Sequence, residues 1–337
     1  MNIFFLQRGD EKLGSNRIYI NNLSYWLSKC KIKIKKSKII NSGYSHYILS
    51  KYSTLNDLKK IREINKQKVI CGLVHPSNLS RSNLNLIDKA DFLITGSIEE
   101  KDYYSFLNKP IIRFPQLEKI DFKIKKHINR KKIVIGYHGN LEHLEEMDEL
   151  KKALEKLNLK YNILLTVIYD KKLGKWVRGR PNIPIKEVDW SLSNLTKEIS
   201  KFDIGIVPCT NNFFLDKYKS YNLFSFLVKF LTGGKNRRIN DYIIRFKVTS
   251  NAGRSFIFHQ LGVPVIGDFW PSNFEILGNP KFGLMAHSET GWYKCLEELI
   301  SSPKKRKFLS KNAQLEFKRR YDPIYWSKNF ITELKKI

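Results

Sequence analysis

The sequence predicts an α/β protein built as two doubly wound halves in tandem, and three observations carry that prediction. Short apolar runs such as NIFFL, VICGLV and DFLIT alternate with segments of helical spacing. Apolar strands of this kind, separated by helices, mark parallel sheets covered on both faces. The alternation breaks off in the charged stretch LEKIDFKIKKHINRK (117–131) and then starts again. The 337 residues suit two domains of roughly 150 residues each better than a single core. Hydrophobic residues make up 42% of the chain and aromatic residues 13%, enough to bury real cores.

In the first half the spacing predicts strands over Ile3–Gln7, Tyr47–Ser50, Val69–Val74, Phe92–Thr95 and Ile111–Phe114. Helices are predicted between them over Arg17–Lys29, Leu55–Asn65, Leu84–Ala90 and Glu99–Leu107. In the second half the predicted strands are Lys132–Tyr137, Ile163–Tyr169, Ile204–Val207 and Val263–Ile266. Helices fall over Leu144–Leu157 and Leu195–Lys201, from Ser250 to Gly262, and then over Thr290–Ser301, Pro303 to about Arg320, and onward from Pro323. The expected division is an N-terminal domain over 1–128 and a C-terminal domain over 129–322, the latter carrying an insertion over 211–246. Ligands of such sheets sit where strands end and loops enter helices, so a cleft lined by those loops is the expected site.

The formal net charge is +29. It fits a polyanionic partner, such as a phosphorylated substrate or an anionic membrane surface, and it equally fits a Lys-, Asn- and Ile-rich composition. No nucleic-acid-binding signature accompanies the charge, so nucleic acid is not an expected partner. Cys30, Cys71, Cys209 and Cys295 are far apart and form no CxxC pair, which signals neither zinc nor a disulfide framework. The run Ile3–Leu6 is too short for a signal peptide, and a cytoplasmic location is expected. The apolar-rich segment 221–231 is too short to span a bilayer. Within 218–238, however, Leu223, Phe224, Leu227, Phe230 and Leu231 form a stripe at helical spacing, flanked by Lys217, Lys219, Lys229, Lys235, Arg237 and Arg238. That pattern suits a segment lying in a lipid interface, and equally a stripe packed on the protein itself.

The stretch KVTSNAGRSFIFHQLGVPVIGD (247–268) carries the clearest chemistry. Ser250 and Asn251 are good helix N-caps, Gly253 lets a ligand approach the backbone, and Lys247, Arg254 and Ser255 surround the helix start. A helix N-terminus with a cation beside it binds phosphate, and Arg254 can fork onto phosphate oxygens. An ordinary capped helix with incidental cations is the alternative. Gly262 is placed to end the helix.

Together with FDIGIVPC (202–209) and GWYKCLEELISSPKKRKFLSKNAQLEFKRRYDP (291–323), this stretch resembles the donor-binding half of GT-B glycosyltransferases of the glycosyl transferases group 1 type. GSNRI (14–18), ADFLITGSIEEKDYY (90–104) and IVIGYHGN (133–140) resemble elements of the same family, so the resemblance covers nearly the whole chain. It implies two Rossmann-like domains facing a cleft, with the last helix (323–337) packing back on the N-terminal domain. It implies transfer of a sugar from a nucleotide-activated donor to a glycan or lipid-linked acceptor, in surface polysaccharide or lipopolysaccharide biosynthesis. It implies neither a metal nor another cofactor, and no DxD-type acidic pair stands in a suitable loop. Within it, Gly14, Ser15, Asn16 and Arg17 form the acceptor loop. Gly139, Asn140, Pro208, Thr210 and Asp268 are placed for donor contact.

His75 and His138 are the candidate catalytic residues, since each follows a strand that faces the inferred cleft. A polar residue closing a strand is the alternative for His75, where Pro76 predicts an extended backbone. The chain departs from the family at Ile257, where an acidic residue usually holds the donor ribose. That departure keeps open a non-catalytic nucleotide- or glycan-binding protein on the same fold, or a transferase of another activated sugar or polyol phosphate.

Overall fold

The computed structural model describes residues 1–76, 81–145, 147–209 and 251–337. Lys247, Ser250, Thr210 and the expected insertion 211–246, with its apolar stripe, lie outside them. The chain divides into two compact units. Unit 1 comprises Met1–Lys125, Val248–Val263 and Phe308–Ile337, and unit 2 comprises Lys126–Lys247 and Pro264–Lys307. The junction at 125/126 lies close to the expected boundary. The stretches 248–263 and 308–322, expected in the C-terminal domain, group instead with the N-terminal unit, to which 323–337 also belongs.

Unit 1 holds a six-stranded sheet: β1 (Asn2–Leu6), β2 (Lys33–Ser37), β3 (His46–Leu49), β4 (Ile70–Val74), β5 (Phe92–Thr95) and β6 (Ile111–Arg113). The strands lie in the order β2-β1-β3-β4-β5-β6, with every pairing parallel. Parallel strands are joined by crossovers, usually helical, and each of the five here except the link from β2 to β3 carries a helix. These helices are α1 (Leu23–Lys29), α2 (Leu55–Ile64), α3 (Arg81–Lys89) and α4 (Ile98–Tyr104). The turn into α1, Asn16–Asn22, winds as a π-helix. Thr54 and Asp57 form a capping box that starts α2. The inner strands are apolar on both sides because both faces are covered. Phe4 and Leu6 join Leu58, Ile61, Leu86 and Leu93 in one buried cluster, while Ile3 and Phe5 are equally buried on the opposite face.

Unit 2 repeats the design with β7 (Ile133–His138), β8 (Ile163–Tyr169), β9 (Ile185–Asp189), β10 (Ile204–Val207), β11 (Val265–Gly267) and β12 (Leu284–Met285). Their order is β12-β11-β10-β7-β8-β9, again all parallel. Read from β9, this is the 3-2-1-4-5-6 order of a dinucleotide-binding sheet, whose order reverses between β7 and β10. Helices α5 (Glu142–Glu145), α6 (Asp148–Asn158) and α7 (Leu192–Ile199) belong to this half. Gly136 in β7 is required by packing: a Cβ there would lie 1.8 Å from the ring of Phe202, which is itself fully buried.

The remaining helices are α8 (Gly253–Gln260), α9 (Pro271–Leu277), α10 (Glu289–Ser301), α11 (Pro303–Arg320) and α12 (Pro323–Leu334). Helix α8 is tied into unit 1 by two bonds from Gln260 Nε2, to the carbonyls of Glu118 (3.3 Å) and Ile120 (3.0 Å). Phe256 packs on Tyr321, the rings tilted by 51° with centroids 4.6 Å apart. The helix ends as predicted at Gly262, whose φ of +69° suits a glycine, and a Cβ there would meet the Lys123 carbonyl at 2.9 Å. Helix α12 packs on α1 and β6, with Phe330 edge-on to Phe114. In unit 2 the fully buried Arg306 satisfies carbonyls at the end of α10. Its Nη1 donates to Leu299 (2.5 Å) and Ile300 (3.1 Å), and its Nη2 donates to Ile128 (2.8 Å).

The cysteines form no bonds to one another. Cys71 and Cys209 are buried, whereas Cys30 and Cys295 are half-buried. Burial, helped by nearby acids, pushes the thiol of Cys71 up to about 12 and that of Cys295 up to about 11, which keeps both as thiols. Among the described residues no helix is long and apolar enough to cross a membrane.

Candidate functional site

In unit 1 the candidate site forms where β1, β4 and β5 end. His75 follows β4, and its amide donates to Ile94 O at 2.7 Å. Its φ is +45°, so the backbone is left-handed and not extended as Pro76 predicted. The β5 pairing overrides the preference imposed by proline, at a cost of roughly 1–3 kcal/mol of backbone strain. Tyr19 lies on the imidazole, with ring centroids 5.6 Å apart and planes inclined by 22°. Nδ1 lies 2.9 Å from Glu100 Oε1, at ion-pair distance but off the straight line of a hydrogen bond. Glu100 sits in the first turn of α4 and is fully buried, and its Oε2 accepts the amide of Gly96 at 2.9 Å.

Gly96 has a steric reason to be glycine: a Cβ there would lie 1.8 Å from the Tyr19 hydroxyl and 3.0 Å from Gln116 Cγ. Burial first, and then the charge of Glu100, pushes the Tyr19 hydroxyl well above its ordinary pKa. Burial pulls the ammonium of Lys51 down against the opposing pull of Glu100.

Gln116 links this cluster to the start of α8. A Cβ on Gly253 would meet Gln116 Oε1 at 3.1 Å and Asn251 Oδ1 at 3.0 Å, so the helix start is a close backbone approach. The N-cap is Ala252, not the expected Ser250 or Asn251, and it makes no side-chain cap bond; Asn251, one residue earlier, accepts the Gly253 amide at 3.0 Å. Arg254 follows, half-buried, and Ser255 is fully buried. Unit 1 thus brings together His75, Tyr19, Gln116 and the Gly253 helix start. Ile257, at the expected ribose-acid position, is buried at 4% exposure.

The loop Gly14–Arg17 is tied into the fold. Asn16 is fully buried and donates to the carbonyls of Arg8 (2.6 Å) and Asp10 (2.9 Å). Arg17 pairs with Glu118 at 2.5 Å and donates to Lys12 O at 2.9 Å. Gly14 is exposed and Ser15 half-buried.

In unit 2, His138 is the last residue of β7 and is buried. Gly139 turns the chain with φ +137°. Gly139 and Asn140 line a cavity of about 280 Å³, together with Glu142, Glu145, Asp170 and Lys175. Pro208 and Cys209 close β10, and the Cys209 amide donates to Asp268 Oδ2 at 3.4 Å. Asp268 is fully buried, and its Oδ1 lies 2.9 Å from His287 Nδ1. Asp203 is structural, accepting the Val134 amide at 3.0 Å. Among the described residues no three His, Cys, Asp or Glu side chains gather in a metal-binding group.

Sequence reasoning missed Tyr19, Glu100, Gln116 and His287. Glu100 sits in the polar run SIEEKD, and nothing there marks its two glutamates, both buried, as turned inward.

No protein-family model and no curated protein sequence matches the chain. Solved structures do match, over its whole length. Sucrose-phosphate synthase from Thermosynechococcus elongatus superposes with a TM-score of 0.66 at 10% identity, covering 100% of this chain and 98% of that one. HepE of Anabaena, in complex with UDP and glucose, gives 0.65 at 12% identity with 100% of both chains covered. A glycosyltransferase from Rickettsia africae gives 0.62 at 9% identity, covering 99% and 98%. The fold is therefore that of the GT-B glycosyltransferases, with two Rossmann-like domains.

Proposed function

We propose that the protein transfers a sugar from a nucleotide-activated donor, with the start of α8 holding donor phosphate and His75 meeting the sugar. The observation that carries this reading is the junction in unit 1, where Gly253 closes on Gln116 beside Tyr19, and Tyr19 stacks on His75. The positive end of the helix dipole and the guanidinium of Arg254 favour charge developing on a leaving phosphate. HepE, on the same fold, binds UDP-glucose. His138, Gly139, Asn140, Pro208 and Asp268 are proposed donor contacts of unit 2, and Gly14–Arg17 remains the proposed acceptor loop. The acceptor is proposed to be a glycan or a lipid-linked glycan of a surface polysaccharide, handled on the cytoplasmic side without a metal. Lipid contact is supported by the first quarter of the chain: from Lys12 to Lys51 every charged residue is basic.

A thermal-shift panel of UDP, GDP and their hexose conjugates tests the donor. A ligand at about 100 times its Kd stabilises by roughly 2.7 kcal/mol, and no shift with any of them overturns the reading. By calorimetry, Arg254→Ala is expected to weaken the nucleotide that shifts melting. Unchanged affinity removes phosphate from this helix. A second reading, binding without turnover, is favoured by the buried Ile257. Arg254-dependent release of nucleotide from the donor, unaffected by EDTA, decides for the enzyme.

A further inference from the structure

We propose that Glu100 is a positioning residue, whose buried carboxylate takes the Nδ1 side of His75 and leaves Nε2 as the nitrogen that meets a ligand. That the ligand is a sugar rests on the function proposed above; the placement of the ring does not.

A carboxylate is almost never fully buried unless its charge is matched. Glu100 is fully buried, and the fold uses its two oxygens differently. Oε2 is pinned by the Gly96 amide. Oε1 takes no straight hydrogen bond and instead faces His75 Nδ1 at 2.9 Å. A role confined to starting α4 would need only the first contact. Ser97 already caps that helix by accepting the Glu100 amide at 3.1 Å, so capping does not account for the second oxygen.

His75 is restrained on three sides. Its amide is bonded to Ile94, one ring face lies on Tyr19, and the Nδ1 edge lies on Glu100. Nδ1 is buried, yet the side chain keeps 10% exposure, so its accessible part lies away from that nitrogen. The hydrogen bond made by one imidazole nitrogen decides the state of the other. With a proton on Nδ1 facing Glu100, a neutral ring offers the Nε2 lone pair and can accept a hydrogen bond from a hydroxyl. Catalytic contacts of this kind are often off-line before a ligand binds, which fits the bent approach seen here. Tyr19, Lys51 and Tyr104 also feel the charge of Glu100, and Arg113 acts on Tyr19.

The test is long-range 1H–15N NMR of the imidazoles in the full 15N-labelled chain. His75 is assigned among the seven histidines by its loss in His75→Gln. The wild type is expected to show the Nδ1-protonated tautomer at high pH. Glu100→Gln is expected to shift the tautomer balance partly toward Nε2 protonation, because a neutral amide holds the Nδ1 proton less firmly than a carboxylate does. Glu100→Ala is expected to move the tautomer toward Nε2 protonation. An Nε2-protonated wild type, or Glu100 variants with an unchanged tautomer, overturns the proposal. Circular dichroism checks folding, and if Glu100→Ala does not fold, the near-isosteric Glu100→Gln carries the decision. No substrate is needed. A failed nucleotide panel would therefore sink the sugar reading and leave this result standing, and the reverse also holds.

Discussion

Arg17 grips Glu118 across 101 residues of chain, with Nε 2.9 Å and Nη2 2.5 Å from the same carboxylate oxygen. Asn22 Nδ2 adds a bond to the other oxygen at 3.2 Å. The side chains keep only 15% and 5% exposure, so water screens the pair weakly. Removing one member of such a pair leaves a buried charge behind. Arg17→Ala is expected to destabilise by on the order of 3 kcal/mol. The double variant Arg17→Ala, Glu118→Ala should lose clearly less than the sum of the two single losses in urea unfolding. Strict additivity would show that the pair contributes nothing.

His259 gives the protein an acid limb. Burial lowers its pKa from 6.5 to about 3, and its Nε2 takes no hydrogen bond. In the unfolded chain the ring protonates below about pH 6.5, while in the fold it resists until about pH 3. The unfolded state thus binds more protons over that window, and stability falls as pH drops through it, by up to about 1.4 kcal/mol per unit. His259→Leu should flatten the curve of stability against pH between those values. A wild-type slope retained in the variant would place the acid sensitivity elsewhere.

Arg306 is expected to matter through the carbonyls it satisfies. Arg306→Met keeps the aliphatic bulk and strips donors from Leu299, Ile300 and Ile128. Each carbonyl left unsatisfied costs about 1–3 kcal/mol, so a large fall in Tm is expected, with a smaller one for Arg306→Lys. A melting point unchanged in the methionine variant would mean that water replaces the guanidinium.

Gly136→Ala should destabilise the second unit, because the new methyl would drive into the Phe202 ring. Overpacking of this kind costs about 1–3 kcal/mol. In the background Phe202→Leu the same substitution should cost much less, and an equal cost would point to the backbone as the cause.

The buried strands were legible because a parallel strand covered on both faces is apolar throughout, as β1, β5, β8 and β10 are. The strands β2 and β9 were not. KIKKS and IKEVD lie at sheet edges, half exposed, and their residues alternate between solvent and partial burial. Lysines suit such an edge, and they also conceal it from an apolar count. At the site, the glycine-softened start of α8 and the histidine after β4 stood out as residue types. Their neighbours did not, because Glu100, Gln116 and Tyr19 gain meaning only once separate strand ends converge. Arg17 looked like a free loop cation because its partner Glu118 is so distant in sequence.

The first unit draws on three separated stretches of chain, 1–125, 248–263 and 308–337. On the ribosome, its first 125 residues emerge long before the helices that complete it. The 182 residues from 126 through 307, which include the second stretch, take roughly 10–40 s to synthesise. The carbonyls of Glu118 and Ile120 wait until Gln260 is made, and Phe122 and Phe114 wait longer still, for Phe317 and Phe330. The nascent chain therefore carries a half-built core through most of its synthesis. A fragment ending at residue 125 should be insoluble, and chaperone dependence during synthesis follows from the order in which the chain is made.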